Sequence, residues 1–142
     1  MDMEAVMRFR NKTNTFARLL GIDITELSLG HSKSYMTVTD KLRNPQGAIH
    51  GGVIYTIADV TGGNAASSYG EKVATLDSDF HYLRPALKLE SLSAEAVEIK
   101  HGRHVSVYDI KVSDQDGTVL AAGTFSYSSL GMPIETGDEN EK

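Results

Sequence analysis

Asp59 is a carboxylate inside an apolar stretch, Ile57-Ala58-Asp59-Val60, and Gly51 stands eight residues before it in His50-Gly51-Gly52. Each of these features has a chemical use and a plainer one. A carboxylate is costly to bury unless it is paired or hydrogen-bonded. Asp59 is therefore either a structural acid with a partner, or a general base or nucleophile held in a dry site. Upstream, Asn44-Pro45-Gln46-Gly47-Ala48-Ile49-His50-Gly51-Gly52 reads as a loop running into the start of a helix. A helix N-terminus presents unpaired N–H groups and a partial positive charge, and glycine lets a carbonyl come close to them. This segment is either an oxyanion hole or a glycine-rich helix start without a ligand. The two features share one helix, which favours the chemical reading of both.

Other residues could contribute. Thr75 opens Thr75-Leu76-Asp77-Ser78-Asp79-Phe80-His81-Tyr82-Leu83-Arg84-Pro85. A strand hydroxyl can hold a water or a carboxylate, or Thr75 is simply a strand-favouring residue. Asp77, Asp79 and His81 alternate on one face of that strand, which is a poor metal signature and fits a solvated or interface face. No metal is expected. Lys100-His101-Gly102-Arg103-His104 is a basic cluster at a turn between strands. It could hold the phosphates of a nucleotide-like ligand or be an ordinary polar hairpin. The sequence has no Gly-x-Ser-x-Gly turn, phosphate loop or dinucleotide fingerprint, so those classes are set aside.

The elements that must position these groups follow from periodicity. Residues 3–20 carry Val6, Phe9, Phe16, Leu19 and Leu20 at helical spacing, with Gly21 as the stop. Ile22, Ile24, Leu27 and Leu29 suggest an edge strand, and Met36 and Val38 alternate with Tyr35, Thr37 and Thr39 on a second. Residues 41–47 form a loop marked by Asn44-Pro45 and Gly47. A helix is predicted over 50–66, apolar nearly all round and hence buried. Its glycines cost about 1 kcal/mol each relative to alanine, and its small residues would let other backbone approach. Strands follow over 73–83, 89–100, 105–112 and 119–130. In the second of these the apolar face moves from Ala96 to Val97, which predicts a β-bulge near Ala96. Asp114-Gln115-Asp116-Gly117 predicts a hairpin turn. The order is satisfied by an α+β fold, a curved antiparallel sheet wrapped around one apolar helix.

Spacing along that helix carries a further expectation. Gly51 and Asp59 lie ~12 Å apart along its axis at about 1.5 Å per residue. One reacting carbon cannot touch both from a single helix. If both act, Asp59 must meet Gly51 of a second copy, and two antiparallel helices about a two-fold axis would give two equal sites per dimer.

Bulk properties narrow the classes. The chain has 142 residues, 40% of them apolar, enough for one packed domain. No apolar run approaches the ~20 residues of a membrane span. The start, Met1-Asp2-Met3-Glu4, carries acids where a signal peptide carries Lys or Arg, and a cytoplasmic protein is expected. There is no cysteine, which removes disulfides, zinc–thiolate sites and cysteine nucleophiles. A net charge of -5 argues against nucleic acid as a partner. The segment 132–142, with Glu135, Asp138, Glu139 and Glu141, is expected to be a disordered acidic tail after a domain spanning 1–131.

Taken together, Asn44-x-x-Gly47-x-x-His50-Gly51-Gly52 followed by Ala58-Asp59 resembles the hotdog-fold acyl-CoA thioesterases of the phenylacetate-degradation (PaaI-like) type. Thr75, Phe80-x-x-Leu83-Arg84-Pro85-Ala86, Gly102-Arg103 and Asp116-Gly117 match the same pattern, so the likeness covers about 16–130. The resemblance implies a curved antiparallel sheet around a long central helix, a homodimer with sites at its interface, usually paired into a tetramer, and hydrolysis of acyl-CoA. It implies that the Gly51 amide polarises the thioester carbonyl and that Asp59 of the facing subunit activates water or attacks directly. Asn44 and His50 would hold the carbonyl end and the water, and Thr75 would position the water or Asp59. Coenzyme A would lie near Gly102, Arg103 and His104; it is part of the substrate, and no separate cofactor is implied. Aryl-acetyl, benzoyl or medium-chain acyl groups would suit a pocket lined by Tyr55, Phe80 and Tyr82. Two other readings fit the same fold. A hydratase or dehydratase would use a catalytic histidine beside an acid, whereas here His50 opens the helix. A non-catalytic acyl-CoA sensor would need an output surface from a partner.

Overall fold

The computed structural model describes residues 1–137. Within them, Asn14 divides the N-terminal helical segment. Asp2 caps α1 (Met3–Thr13) by accepting from the Ala5 amide. Asn14 is extended, at φ -74° and ψ 92°, and caps α2 (Thr15–Leu20) through Oδ1, which accepts from the Ala17 amide at 3.2 Å. The spacing of apolar residues over 3–20 is thus shared by two short helices, because a side chain that caps one turn competes with helix continuation. Gly21, at φ 78°, closes α2 as expected.

Six strands follow the predicted order: β1 (Asp23–Ser28), β2 (His31–Thr37), β3 (Glu71–Tyr82), β4 (Ser91–His101), β5 (Val105–Ser113) and β6 (Val119–Pro133). They form one antiparallel sheet in the spatial order β1-β2-β4-β5-β6-β3. The helix α3 (Gly51–Ala66) packs against all six strands, giving the expected hotdog architecture. Alternation on β5 sends Ser106, Tyr108, Ile110 and Val112 into the core. Ile57 and Ala58 of α3 meet them, fully buried. Each such isoleucine or valine side chain contributes about 1.5–3 kcal/mol when fully buried. The edge strand β1 is covered by α1. At the other edge, β3 pairs only with β6, and its outer side is open within the chain.

Three sequence expectations are corrected. The β4 bulge is not at Ala96. The ladder runs unbroken from Ser93 to Glu98 and breaks between Glu98 and Lys100, at Ile99. Ala96 is buried and Val97 points out, 46% exposed, so the apolar residue after Ala96 was no sign of a turned face. Nor is α3 buried all round: Gly51, Tyr55, Thr56, Asp59, Val60 and Gly63 form a half-open face. Finally, the small residues of α3 make room for side chains rather than backbone. A Cβ on Gly62 would fall 2.1 Å from the Tyr127 hydroxyl and 2.5 Å from Ile110 Cδ1. Close backbone approach occurs on β6 instead, where a Cβ on Gly123 would fall 2.0 Å from the Asp79 carbonyl oxygen.

The acidic tail falls largely on residues 138–142, which lie outside the described ones. Before them, β6 continues through Pro133, Glu135 pairs with Lys72 at 3.5 Å, and Gly137 packs on the Phe9 ring. Among the described residues, no helix is long and apolar enough to cross a membrane.

Candidate active site

The start of α3 is built to leave one amide free. His50 is its N-cap. The His50 Nδ1 accepts from the Gly52 amide at 2.9 Å, and the His50 carbonyl accepts from Val53 at 2.9 Å. The Gly51 amide has no acceptor among the described residues, and it sits where the helix dipole is positive. Since Nδ1 accepts, the His50 proton is assigned to Nε2, which leaves that nitrogen as a donor on the exposed side of the ring. Asn44 is held in the same way. Its Oδ1 accepts from the amides of Gln46 at 3.0 Å and Ala48 at 3.1 Å, and its backbone N–H donates to the Ala48 carbonyl at 2.7 Å. With Oδ1 occupied, Nδ2 is the donor it retains. The loop therefore supplies three groups able to donate to an oxyanion: Gly51 N–H, His50 Nε2–H and Asn44 Nδ2–H.

Asp59 lies two turns further along α3, on the half-open face. The expectation of a partner is met twice. Thr75 donates to Asp59 Oδ1 at 2.8 Å, and the Tyr127 hydroxyl lies 3.2 Å from the same oxygen and 3.1 Å from the Asp59 carbonyl. Thr75 and Tyr127 are cross-strand partners in the β3–β6 ladder, so register alone brings both hydroxyls under the carboxylate. The other oxygen, Oδ2, accepts from none of the described residues. The ladder shifts at Leu76, between Thr75 and Asp77. That bulge changes the parity of β3, so Thr75 before it and Ser78 and Phe80 after it all face the helix, while Asp77, Asp79 and His81 face solvent. Asp79 and His81 contact each other at 3.2 Å on that outer face.

Tyr127 escapes a reading of the sequence. It follows Phe125 at period two on β6, and both are buried, so nothing in the pattern separates a core ring from one whose hydroxyl has a task. The usable signal was Gly62, a helix-interior glycine that costs stability unless something needs its space. Burial and the negative charge of Asp59 push the Tyr127 hydroxyl well above its usual range, which keeps it a neutral donor.

The predicted aromatic residues gather at the Gly51 end of α3. Tyr82 donates to the Gly51 carbonyl at 2.8 Å, and Tyr55 is hydrogen-bonded to Ser78 at 2.8 Å. Phe80 packs edge-on between them, with centroids 5.9 Å from Tyr55 and 5.4 Å from Tyr82. Phe125, absent from the sequence-based set, lies under the cluster, 5.4 Å from Phe80.

Two cavities border the site region. One of about 350 Å³ is lined by Asp59, Thr75, Tyr127, Asn64, Lys72 and Arg10. The other, about 380 Å³, contains Gly102, Arg103 and His104, together with Tyr69, His101 and Glu71. Gly102 is required there, because a Cβ would fall 2.5 Å from the Val105 carbonyl oxygen. The Tyr69 and His101 rings stack at 3.8 Å across its rim. Val73 belongs to both cavities. The structure thus brings Asp59 and Thr75 together, sets His50 and Gly51 at the start of the same helix with Asn44 fixed in the loop before it by Gln46 and Ala48, and places the Arg103 cluster in a neighbouring hollow.

Residues 46–121 match the Thioesterase superfamily. The chain is 31% identical to the acyl-coenzyme A thioesterase PaaI of Escherichia coli over 105 residues, covering 74% of this chain and 75% of that protein. It is 31% identical to 1,4-dihydroxy-2-naphthoyl-CoA thioesterase 2 of Arabidopsis thaliana, covering 82% and 80%. The solved structure of E. coli PaaI superposes with a TM-score of 0.87 at 27% identity, covering 92% of this chain and 94% of that one. A Streptococcus mutans protein solved with acetyl-CoA bound superposes with a TM-score of 0.75 at 29% identity, covering 80% and 91%.

Proposed function

The chain belongs to the thioesterase superfamily as a hotdog-fold, PaaI-like thioester hydrolase, and from that premise we propose that it hydrolyses aryl-acyl or medium-chain acyl-CoA at sites shared by two protomers. The observation that carries the site assignment is Asp59 itself. Two hydroxyl donors hold its Oδ1 and leave Oδ2 open, on a helix whose first amide is also open. In the proposed reaction, the thioester oxygen of the substrate takes hydrogen bonds from the Gly51 amide of one protomer, with His50 Nε2–H and Asn44 Nδ2–H beside it. Asp59 of the other protomer either takes a proton from the attacking water or attacks the carbonyl carbon itself. The C–S bond breaks, one water supplies the hydroxyl of the free acid and, through Asp59, the proton that the departing sulfur needs to leave as the CoA thiol; where Asp59 attacks directly, the same water then cleaves the acyl–Asp59 anhydride and restores the carboxylate. The N–H donors gain most as charge develops on the oxygen, which is where preorganised dipoles lower a barrier. Arg103, Gly102 and His104 would receive the CoA phosphates, with Tyr55, Phe80 and Tyr82 near the acyl group. A homodimer, paired into a tetramer, in the cytoplasm completes the proposal.

The His50 tautomer speaks against the hydratase reading. A histidine acting as base needs a free lone pair, and here Nδ1 is already accepting from Gly52. The deciding experiment is free-thiol release from a panel of acyl-CoA esters by the native chain and by Asp59→Asn. Release that falls by about a thousandfold or more in the variant, with both proteins equally folded, is the expected result for a residue acting directly on the reacting atoms. Binding of the esters without turnover by the native chain would favour the acyl-CoA sensor instead.

A further inference from the structure

The cavity beside Asp59 ends in a group that the proposed reaction does not use. Arg10 reaches from α1 onto the end of α3, where its Nη1 donates to Asn64 Oδ1 at 2.6 Å and Ser67 Oγ at 2.7 Å. Both acceptors are neutral. Among the described residues, no carboxylate lies within ion-pair distance of Arg10. A guanidinium keeps its charge in a protein, and withdrawing it from water without a counter-charge is a standing cost. Burial pulls its pKa below the ordinary value, the direction expected of a cation short of solvent.

Asn64 makes a second, independent point. Only 6% of it is exposed, and with Oδ1 turned to Arg10 its Nδ2 is buried with no acceptor among the described residues. Folded chains seldom leave such a donor unmet without a reason. Both the uncompensated cation and this asparagine stand in the wall of the cavity that holds Asp59. Asn64 follows Asp59 on α3 at a distance of ~7.5 Å along the axis, about the length of a short acyl chain whose carbonyl carbon rests at Asp59. Lys72, paired with Glu135, adds a further cation to the same wall.

We propose that this cavity selects acyl groups whose far end carries an anionic oxygen, a terminal carboxylate on a short to medium chain, read by Arg10, which Asn64 Oδ1 and Ser67 Oγ hold at the cavity wall. The proposal rests on Asp59 being the reacting carboxylate. A plain alkyl or aryl end would leave the cation without a counter-charge.

The test compares thiol release from adipoyl-CoA and hexanoyl-CoA, which share a chain length, on the full chain. The wild type should favour adipoyl-CoA in kcat/KM by about tenfold or more, the range expected of hydrogen bonds to a charged group. Arg10→Met should remove that preference. Asn64→Asp, close in shape and so easier to fold, gives Arg10 an internal carboxylate and should turn the preference toward hexanoyl-CoA. A wild type that prefers hexanoyl-CoA would overturn the proposal. So would variants that lower both esters equally, since Arg10 would then only clamp α1 to α3. Binding of the two esters to Asp59→Asn repeats the comparison without turnover, and equal affinities would again overturn it. Undiminished turnover by Asp59→Asn would sink the site assignment instead, a different outcome from a lost ratio.

Discussion

At the scale of single residues, Asp59 is defined by which of its oxygens is occupied. Thr75 and Tyr127 both approach Oδ1, so Oδ2 is left without a partner among the described residues. Thr75→Val and Tyr127→Phe should each lower kcat by about tenfold with less change in KM, and the double variant should lose less than the product of the two, because both act on one oxygen. Steady-state kinetics of the four proteins checks this; strict additivity would mean that the hydroxyls act separately. The Gly51 amide can be removed cleanly as well. Proline is tolerated in the first turn of a helix, and His50 at φ -58° and ψ 133° already has the extended backbone a residue before proline requires. Gly51→Pro should therefore fold, while losing about 10²–10³ in kcat as expected for an oxyanion donor. Unchanged kcat in a folded Gly51→Pro would remove the amide from the mechanism. Asp59 and Gly51 were legible in the sequence because a lone acid in an apolar run and a glycine pair at a helix start are locally odd. Tyr127, Arg10 and Asn64 were not. Their contacts, Tyr127 with Asp59 and Arg10 with Asn64, join residues 68 and 54 apart in the chain, which no local pattern encodes.

At the scale of elements, order and type were legible and the irregularities were not. Period-two alternation placed β5 and its hairpin turn, where Asp114 Oδ1 accepts from the amides of Asp116 and Thr118 as the turn residues suggested. The bulges at Leu76 and Ile99 left no such trace, because a bulge changes which face a residue meets without changing the residue. The same limit applied to Asn14, whose capping role depends on where the chain bends. Packing between α3 and β6 makes its own prediction. Alanine is the better helix former by about 1 kcal/mol, yet Gly62→Ala should destabilise the fold by about 1–3 kcal/mol, the usual cost of overpacking. Its Cβ would occupy the position of the Tyr127 hydroxyl. Urea unfolding measures the loss, and the variant should share the kcat defect of Tyr127→Phe. A more stable Gly62→Ala with full activity would show that the hydroxyl needs neither the space nor Asp59.

At the scale of the whole molecule, the half-open face of α3 and the open edge of β3 lie on elements that carry Asp59, Gly51, Thr75 and Tyr82. In the proposed dimer a second copy covers both and brings Gly51 of one chain to Asp59 of the other, the arrangement that the ~12 Å spacing along a single helix calls for if both residues act. Asp59→Asn and Gly51→Pro, each inactive alone, should then restore about a quarter of the native sites when unfolded together in equal amounts and refolded, since half the dimers are mixed and each holds one intact pair. No recovery, with mixed dimers demonstrated, would place the whole site within one chain. The open β3 edge also bears on how long the protein lasts in dilute solution. If substrate bridges two chains across that edge, it acts as a fastener, and saturation at about 100 times its Kd adds about 2.7 kcal/mol to the assembled form. Stocks diluted with a slowly cleaved ester should keep their activity for hours, while stocks diluted into plain buffer fade as their dimers part.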